Sequence, residues 1–349
     1  MTEEPPPASR SPDRSIVFAT IASLVLVVIA VLGASGLSRL ARPTPTPSPP
    51  PSAIVRATPT ETPDTSAFVF TQPLSAGCAA GDAVYVVSDG GGIGRFAFDR
   101  WQLIDPIARS LVAATCQGDV LTAVGGGGRV VTINDRDQTI RSDSVFVEDL
   151  LGVAPLGDGV LVVGRAGTVL RQGGGGWGTY ANGIDEDLLA VAAFGAASAW
   201  VVGSGGASYR LESAGWRPVA TGVTTTLRAI AARAVDDAVV VGDDGVILVW
   251  GGRWKRFDAD APVHVSWHAA LRVGEFTTYL AGDNGTLLSF TGTSGSKPSF
   301  GLIPLGTTCT LRALFSRGDE VWVIGSDGGR SAVWRVGSAG SITSWGACP

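Results

Sequence analysis

Between Leu227 and Phe257 the apolar residues come in short runs, LRAIAA, DAVVV, VILVW and WKRF, broken by Asp-Asp-Gly and Gly-Gly-Arg. Helices need about 10–12 residues of periodic pattern, whereas short apolar runs bounded by Gly and Asp read as strands. The stretch therefore predicts four antiparallel strands, A to D, joined by tight turns. The pattern recurs seven times, with strand A starting at Leu74, Leu111, Leu150, Leu188, Leu227, Trp267 and Leu311, at spacings of 37 to 44 residues. Strand B ends at Ser88, Gly125, Gly164, Gly203, Gly242, Gly282 and Gly325, and three residues later every copy has glycine, from Gly91 to Gly328. The turns between, such as GDDG and GDNG, predict hairpins that need positive φ, which Gly adopts without steric cost. Their aspartates are expected to be solvated turn residues, not calcium ligands. Trp101, Trp177, Trp216 and Trp254 recur after the turns and are expected to pack between neighbouring sheets.

A four-stranded sheet with two apolar faces cannot stand alone. Seven arranged radially bury those faces against one another and leave only short edges. The expectation is an all-β, seven-bladed β-propeller over residues 67–349. Its ring would close through Phe68–Gln72 pairing into the last blade, beside or instead of Ile342–Trp345.

The remaining pattern is N-terminal. Residues 1–14 form a short polar tail, and 15–38 carry no charge. That run exceeds the 7–15 apolar residues usual in a cleaved signal and matches the roughly 20 needed to cross a bilayer as a helix. Ala34-Ser35-Gly36 offers a cleavage motif, so removal stays open, but a transmembrane helix acting as signal anchor is expected. Residues 39–66, rich in Pro, Thr and Ser, predict an extended stalk. Arginines flank the apolar run on both sides, so the positive-inside rule does not orient it. The stalk and the cysteines place the C-terminal domain outside, periplasmic or extracellular, with the N-terminus cytoplasmic.

A net charge of −5 excludes general nucleic-acid binding. The four cysteines, Cys78, Cys116, Cys309 and Cys348, fit disulfides in an oxidising compartment. Three pairings exist. Cys78–Cys116 with Cys309–Cys348 is favoured, because equivalent points on adjacent blades lie close near the axis.

Chemistry is sparse. The two histidines, His264 and His268, would lie roughly 13 Å apart in an extended segment, too far to share a metal. No nucleophile, base and orienting group can be assembled, so a non-catalytic protein is expected, without cofactor or metal. A distinct signal comes from aligning strand A. One residue after its start the copies read Ser75, Val112, Leu151, Leu189, Arg228, His268 and Arg312, and near its end the last three copies carry Arg233, Arg272 and Arg317. Blades 5 to 7 would thus hold a basic arc able to dock a protein partner, an acidic one. The plainer alternative is solvated arginines paired with nearby Asp236 and Asp319.

The segments VGRAGTVLRQGGGGW from Val163, VGSGGASYRLESAGW from Val202 and VGDDGVILVW from Val241 resemble the repeat of the photosystem II stability/assembly factor family, related to sialidase-type (BNR-like) propellers. The resemblance spans the propeller and implies binding of other proteins during assembly of a membrane complex. It also implies partner-binding arginines on strand C, here Arg95, Arg171 and Arg210. The other copies have Thr132, Val249, Ser289 and Ala332, so the pattern is only partly kept. A photosynthetic role does not carry over. The sialidase aspartate box is approached by SDGG at Ser88 and Ser326 and completed by neither. The sequence thus reads as a membrane-anchored, extracytoplasmic binding or assembly scaffold. The alternative is a glycan-binding or glycan-hydrolysing propeller.

Overall fold

The computed structural model describes residues 70–104, 110–180, 183–292, 297–338 and 340–348, together with the backbone of Val55–Arg56. The tail, the apolar run and nearly all of the expected stalk lie outside the described residues. No helix among the described residues is long and apolar enough to cross a membrane.

Seven antiparallel sheets are present among the described residues, each with four strands, A-B-C-D, drawn from one continuous stretch of chain. Their first strands are Leu74–Ala80, Leu111–Gln117, Leu150–Leu156, Leu188–Phe194, Leu227–Ala234, Trp267–Val273 and Thr310–Arg317. These first strands pack in sequence order, and the last also packs on the first, which closes a seven-bladed propeller with strand A innermost. Strand B shows why the sequence folds this way. In Ala83–Ser88 and Gly159–Gly164 every residue is buried, because neighbouring blades cover both faces of the sheet. The second blade gains a fifth strand, Val55–Arg56, against its outer edge. One face of the ring carries the starts of strand A and the B–C turns. The opposite face carries the A–B and C–D turns.

Glycine at the end of strand B has a different cause from the one the turn pattern suggests. Gly203 has φ −169 and Gly242 φ −167, extended values open to any residue. A Cβ on Gly203 would overlap the carbonyl of Asp187, the residue before strand A, and the same overlap recurs at Gly164 and Gly242. Close approach therefore selects this column. The second column does need left-handed backbone: φ runs from 53° at Gly328 to 83° at Gly91. Gly203→Ala should accordingly destabilise the propeller by about 1–3 kcal/mol, as overpacking does, although its φ is ordinary. An unchanged urea midpoint would contradict that.

Among the described residues, ring closure uses no exchanged strand. Ile342–Gly346 is the outer strand of the seventh blade, and Phe70 adds a single bridge to Ser331. Phe68 and Val69 lie outside the described residues. Beside that bridge the Leu74 amide donates to Ser331 Oγ at 3.0 Å, and the Ser331 hydroxyl donates to the Gln72 carbonyl at 3.1 Å. Aromatic rings fill the rest of the seam. Phe96 lies 5.1 Å from Trp101, 5.5 Å from Trp322 and 5.0 Å from Trp345, and Trp322 stacks on Trp345 at 5.4 Å. Trp101 and Trp254 are buried between blades, as the sequence predicts, while Trp177 and Trp216 are half-buried.

Both favoured disulfides form. Cys78 and Cys116 join the innermost strands of blades 1 and 2 across a Cα–Cα distance of 5.6 Å, and Cys309 and Cys348 lie 6.0 Å apart. The second bond ties the chain end, just past the last outer strand, back to the start of blade 7.

Candidate interaction surfaces

In all seven blades the A–B pairing shifts register at the same place, between Leu227 and Ala229 in blade 5 and between Trp267 and Ala269 in blade 6. The residue inside each shift is Ser75, Val112, Leu151, Leu189, Arg228, His268 or Arg312. The column singled out in the sequence is thus a ring of β-bulges. A bulge gives up regular pairing and re-aims one side chain. Here it sets seven half-buried or exposed side chains on the innermost strands, around the axial opening of the B–C face. The core positions of the blades are alike, whereas the bulge residues form an apolar side, Val112, Leu151 and Leu189, and a basic side, Arg228, His268 and Arg312.

The basic groups are not free charges. Arg228 grips Asp243 of its own B–C turn through two hydrogen bonds, 2.5 and 3.0 Å long. His268 Nε2 lies 2.7 Å from Asp283, which also accepts from the Thr310 hydroxyl at 3.3 Å. Arg312 donates to Ser326 Oγ at 2.6 Å and, among the described residues, has no carboxylate partner. On the opposite side of the same face Arg165 bridges Asp149 and Asp187, each at 3.0 Å, across two blades. Hydrogen bonds from the Gly127 amide and Arg165 hold the Asp149 carboxyl below its usual range.

The other three predicted basic residues stand on the opposite face, because they lie at the other end of strand A. Arg233 and Arg272 share Asp237, at 2.7 and 2.8 Å. The Arg272 side chain is only 5% exposed. Burial lowers its pKa, Asp237 raises it and neighbouring Arg233 lowers it further. This triad clamps blade 5 to blade 6. Arg317 lies in a cleft of the A–B face between blades 7, 1 and 2. Asp236 pairs with Arg210 at 3.4 Å and not with the arc, and no ion pair to Asp319 is formed among the described residues. The strand-C arginines likewise differ from one another. Arg95 is held by Asp135 at 2.7 Å, Arg210 lies over the Trp200 ring at 5.7 Å, and Arg171 is half-buried. His264 lies beside Gly245 of blade 5. Among the described residues no group of three His, Cys, Asp or Glu side chains is placed to hold a metal.

The fold defines the class: a seven-bladed β-propeller. No family model matches the chain, and no curated protein sequence matches it. Solved structures do. The WD40 repeats of RRP9 are similar with a TM-score of 0.62 at 11% identity, over 78% of this chain and 92% of that one. U3-55K gives 0.62 at 11% identity over 72% and 88% of the two chains. YCF48 bound to a D1 peptide gives 0.52 at 17% identity over 65% and 77%. At these identities the likeness establishes the fold alone. WD40 propellers and YCF48 stand side by side among these neighbours.

Proposed function

We propose that this chain is a non-catalytic protein-binding scaffold, anchored through residues 15–38 and displaying its propeller outside the cytoplasm. The observation that carries the binding role is the ring of bulges. Each blade gives up a regular pairing at its innermost strand to hold a side chain that the core does not use. Those side chains combine a basic half with an apolar half around one opening. A partner segment with a carboxylate and apolar side chains would complement both halves, with Arg312 the cation that has no charged partner among the described residues. That YCF48, a propeller of similar fold, was solved with a bound peptide supports this mode of use. The two disulfides support an oxidising compartment.

Charge reversal tests the reading. Arg228→Glu with Arg312→Glu, both on the B–C face, should remove partner recovery by crosslinking in native membranes. Arg253→Glu, exposed in a C–D turn of the other face, should leave it intact. Equal recovery from both variants would refute the assignment of this face. Location is read separately: cells treated with an alkylating reagent before lysis should yield a protein with no labelled cysteine unless reductant is added, and external protease should reach the propeller.

A further inference from the structure

We infer that the A–B face holds a second site, a cleft between blades 7, 1 and 2 that takes a basic side chain, arginine or lysine, projecting from a protein partner. The cleft has a volume of about 540 Å³. Its floor is fixed. Asp135 accepts from Arg95 Nε at 2.7 Å and from the hydroxyl of fully buried Tyr85 at 2.6 Å. Burial alone would raise the Asp135 pKa, but the hydrogen bonds from Arg95 and Tyr85 outweigh it and hold the carboxyl below its usual range. Asp119 is taken by Arg136 at 2.5 Å. What is left to meet a ligand is Asp82 and Asp99, both exposed and both without a hydrogen bond or ion pair through their carboxylates among the described residues.

Phe98 lines the same cleft. It is 87% exposed, the most exposed large apolar side chain among the described residues. It occupies the two-residue turn between the paired residues Ala97 and Arg100, with φ 52°, followed by Asp99 with φ 58°. That geometry normally selects Asn-Gly. Blades 3 and 4 place Gly174-Gly175 and Ser213-Ala214 at the same turn. A bulky side chain in left-handed backbone carries a steric cost, and at Phe98 no burial offsets it. Its ring is thus free of the blade's own core and open to a contact from outside the chain.

An exposed ring face beside two unpartnered carboxylates matches a guanidinium or ammonium group, through cation–π attraction and charge-assisted hydrogen bonds. The total charge agrees: four carboxylates, Asp82, Asp99, Asp119 and Asp135, face three guanidinium groups, Arg95, Arg136 and Arg317, a surplus of one negative charge. Arg317 opposes a cation, which gives the test a sign. The site is on the opposite face from the bulge ring, so it stands or falls independently of it.

The experiment uses the purified full-length protein with its disulfides intact and a fluorescein-labelled Gly-Ser-Gly-Arg-Gly-Ser-Gly peptide, with Ala and Glu peptides alongside and free choline as competitor. Anisotropy should show saturable binding of the Arg peptide, at least about tenfold tighter than of the other two. Asp82→Asn with Asp99→Asn should abolish it, Arg317→Ala should tighten it, and the Arg228→Glu/Arg312→Glu variant should leave it unchanged. Phe98→Gly should weaken binding about fivefold while raising Tm, because glycine suits the left-handed turn. That pairing of opposite signs separates a ligand contact from a structural role. Equal binding of the three peptides, weakening by Arg317→Ala, indifference to Phe98→Gly, or displacement by choline as effective as by unlabelled peptide would each overturn the proposal.

Discussion

Trp322→Ala should lower the stability of the propeller by about 3–5 kcal/mol, the range for emptying a buried site of its largest side chain. Trp322 is fully buried, stacked on Trp345 at 5.4 Å and on Phe315 at 6.1 Å, with Phe96 at 5.5 Å from the next blade in the ring. The effect should be large for a topological reason. Every blade takes its four strands from one stretch of chain, and among the described residues no exchanged strand holds the junction of blades 7 and 1. Side chains carry that junction, with one backbone bridge at Phe70. Trp177→Ala, at a half-buried position on the outer strand of blade 3, should cost clearly less. Urea unfolding followed by circular dichroism makes the comparison, and equal losses would show that the seam has no special weight.

The second large effect concerns the chain end. Replacing Cys309 and Cys348 together by serine should cost about 4 kcal/mol, the chain-entropy value for a loop of this length, given a sequence separation of 39. Cys78–Cys116 closes a nearly equal loop, with a separation of 38, so the entropic part should match. The two variants should still differ. Cys78–Cys116 joins strands that are already paired within intact blades. Cys309–Cys348 holds the segment after Gly346, next to the outer strand that contributes Trp345 to the seam. Its loss should therefore expose the edge of blade 7 to amide hydrogen exchange, whereas loss of Cys78–Cys116 should lower the unfolding midpoint with little local change. Exchange rates along Ile342–Gly346 that are the same in both variants would contradict this.

These expectations draw on parts of the molecule that were unequally visible in the chain itself. The blades were legible because glycine at two fixed offsets, followed by Trp101, Trp177, Trp216 or Trp254, leaves little freedom for anything but a repeated sheet. The disulfides were legible for the same reason, since Cys78 and Cys116 occupy matching points of neighbouring repeats. The bulge was not. Leu227-Arg228-Ala229 has the same alternation whether or not Arg228 is inserted between paired residues, and only the register with Gly242 and Val241 reveals it. The partners of the basic residues were within reach: Asp243 and Asp283 each follow their cation by 15 residues. The opposed placement of Arg228 and Arg272 also follows from their positions at the two ends of strand A. The cleft was out of reach, because its lining comes from three blades and its clearest sign, a phenylalanine with φ 52°, is a backbone angle.

A chain whose sheets are each continuous in sequence also has a natural order of assembly. As it emerges N-terminus first, blade 1 has all four strands once Ile104 is out, and the bond from Cys78 to Cys116 can form while five blades are still to be made. The growing object is an open fan with an apolar side at each end, the blade 1 side bearing Phe96 and Trp101. That exposed side has its match in blade 7, where Trp322 and Trp345 lie. Ring closure thus waits for blade 7, and a chain that stopped before Thr310 would be left as an arc with both apolar ends uncovered.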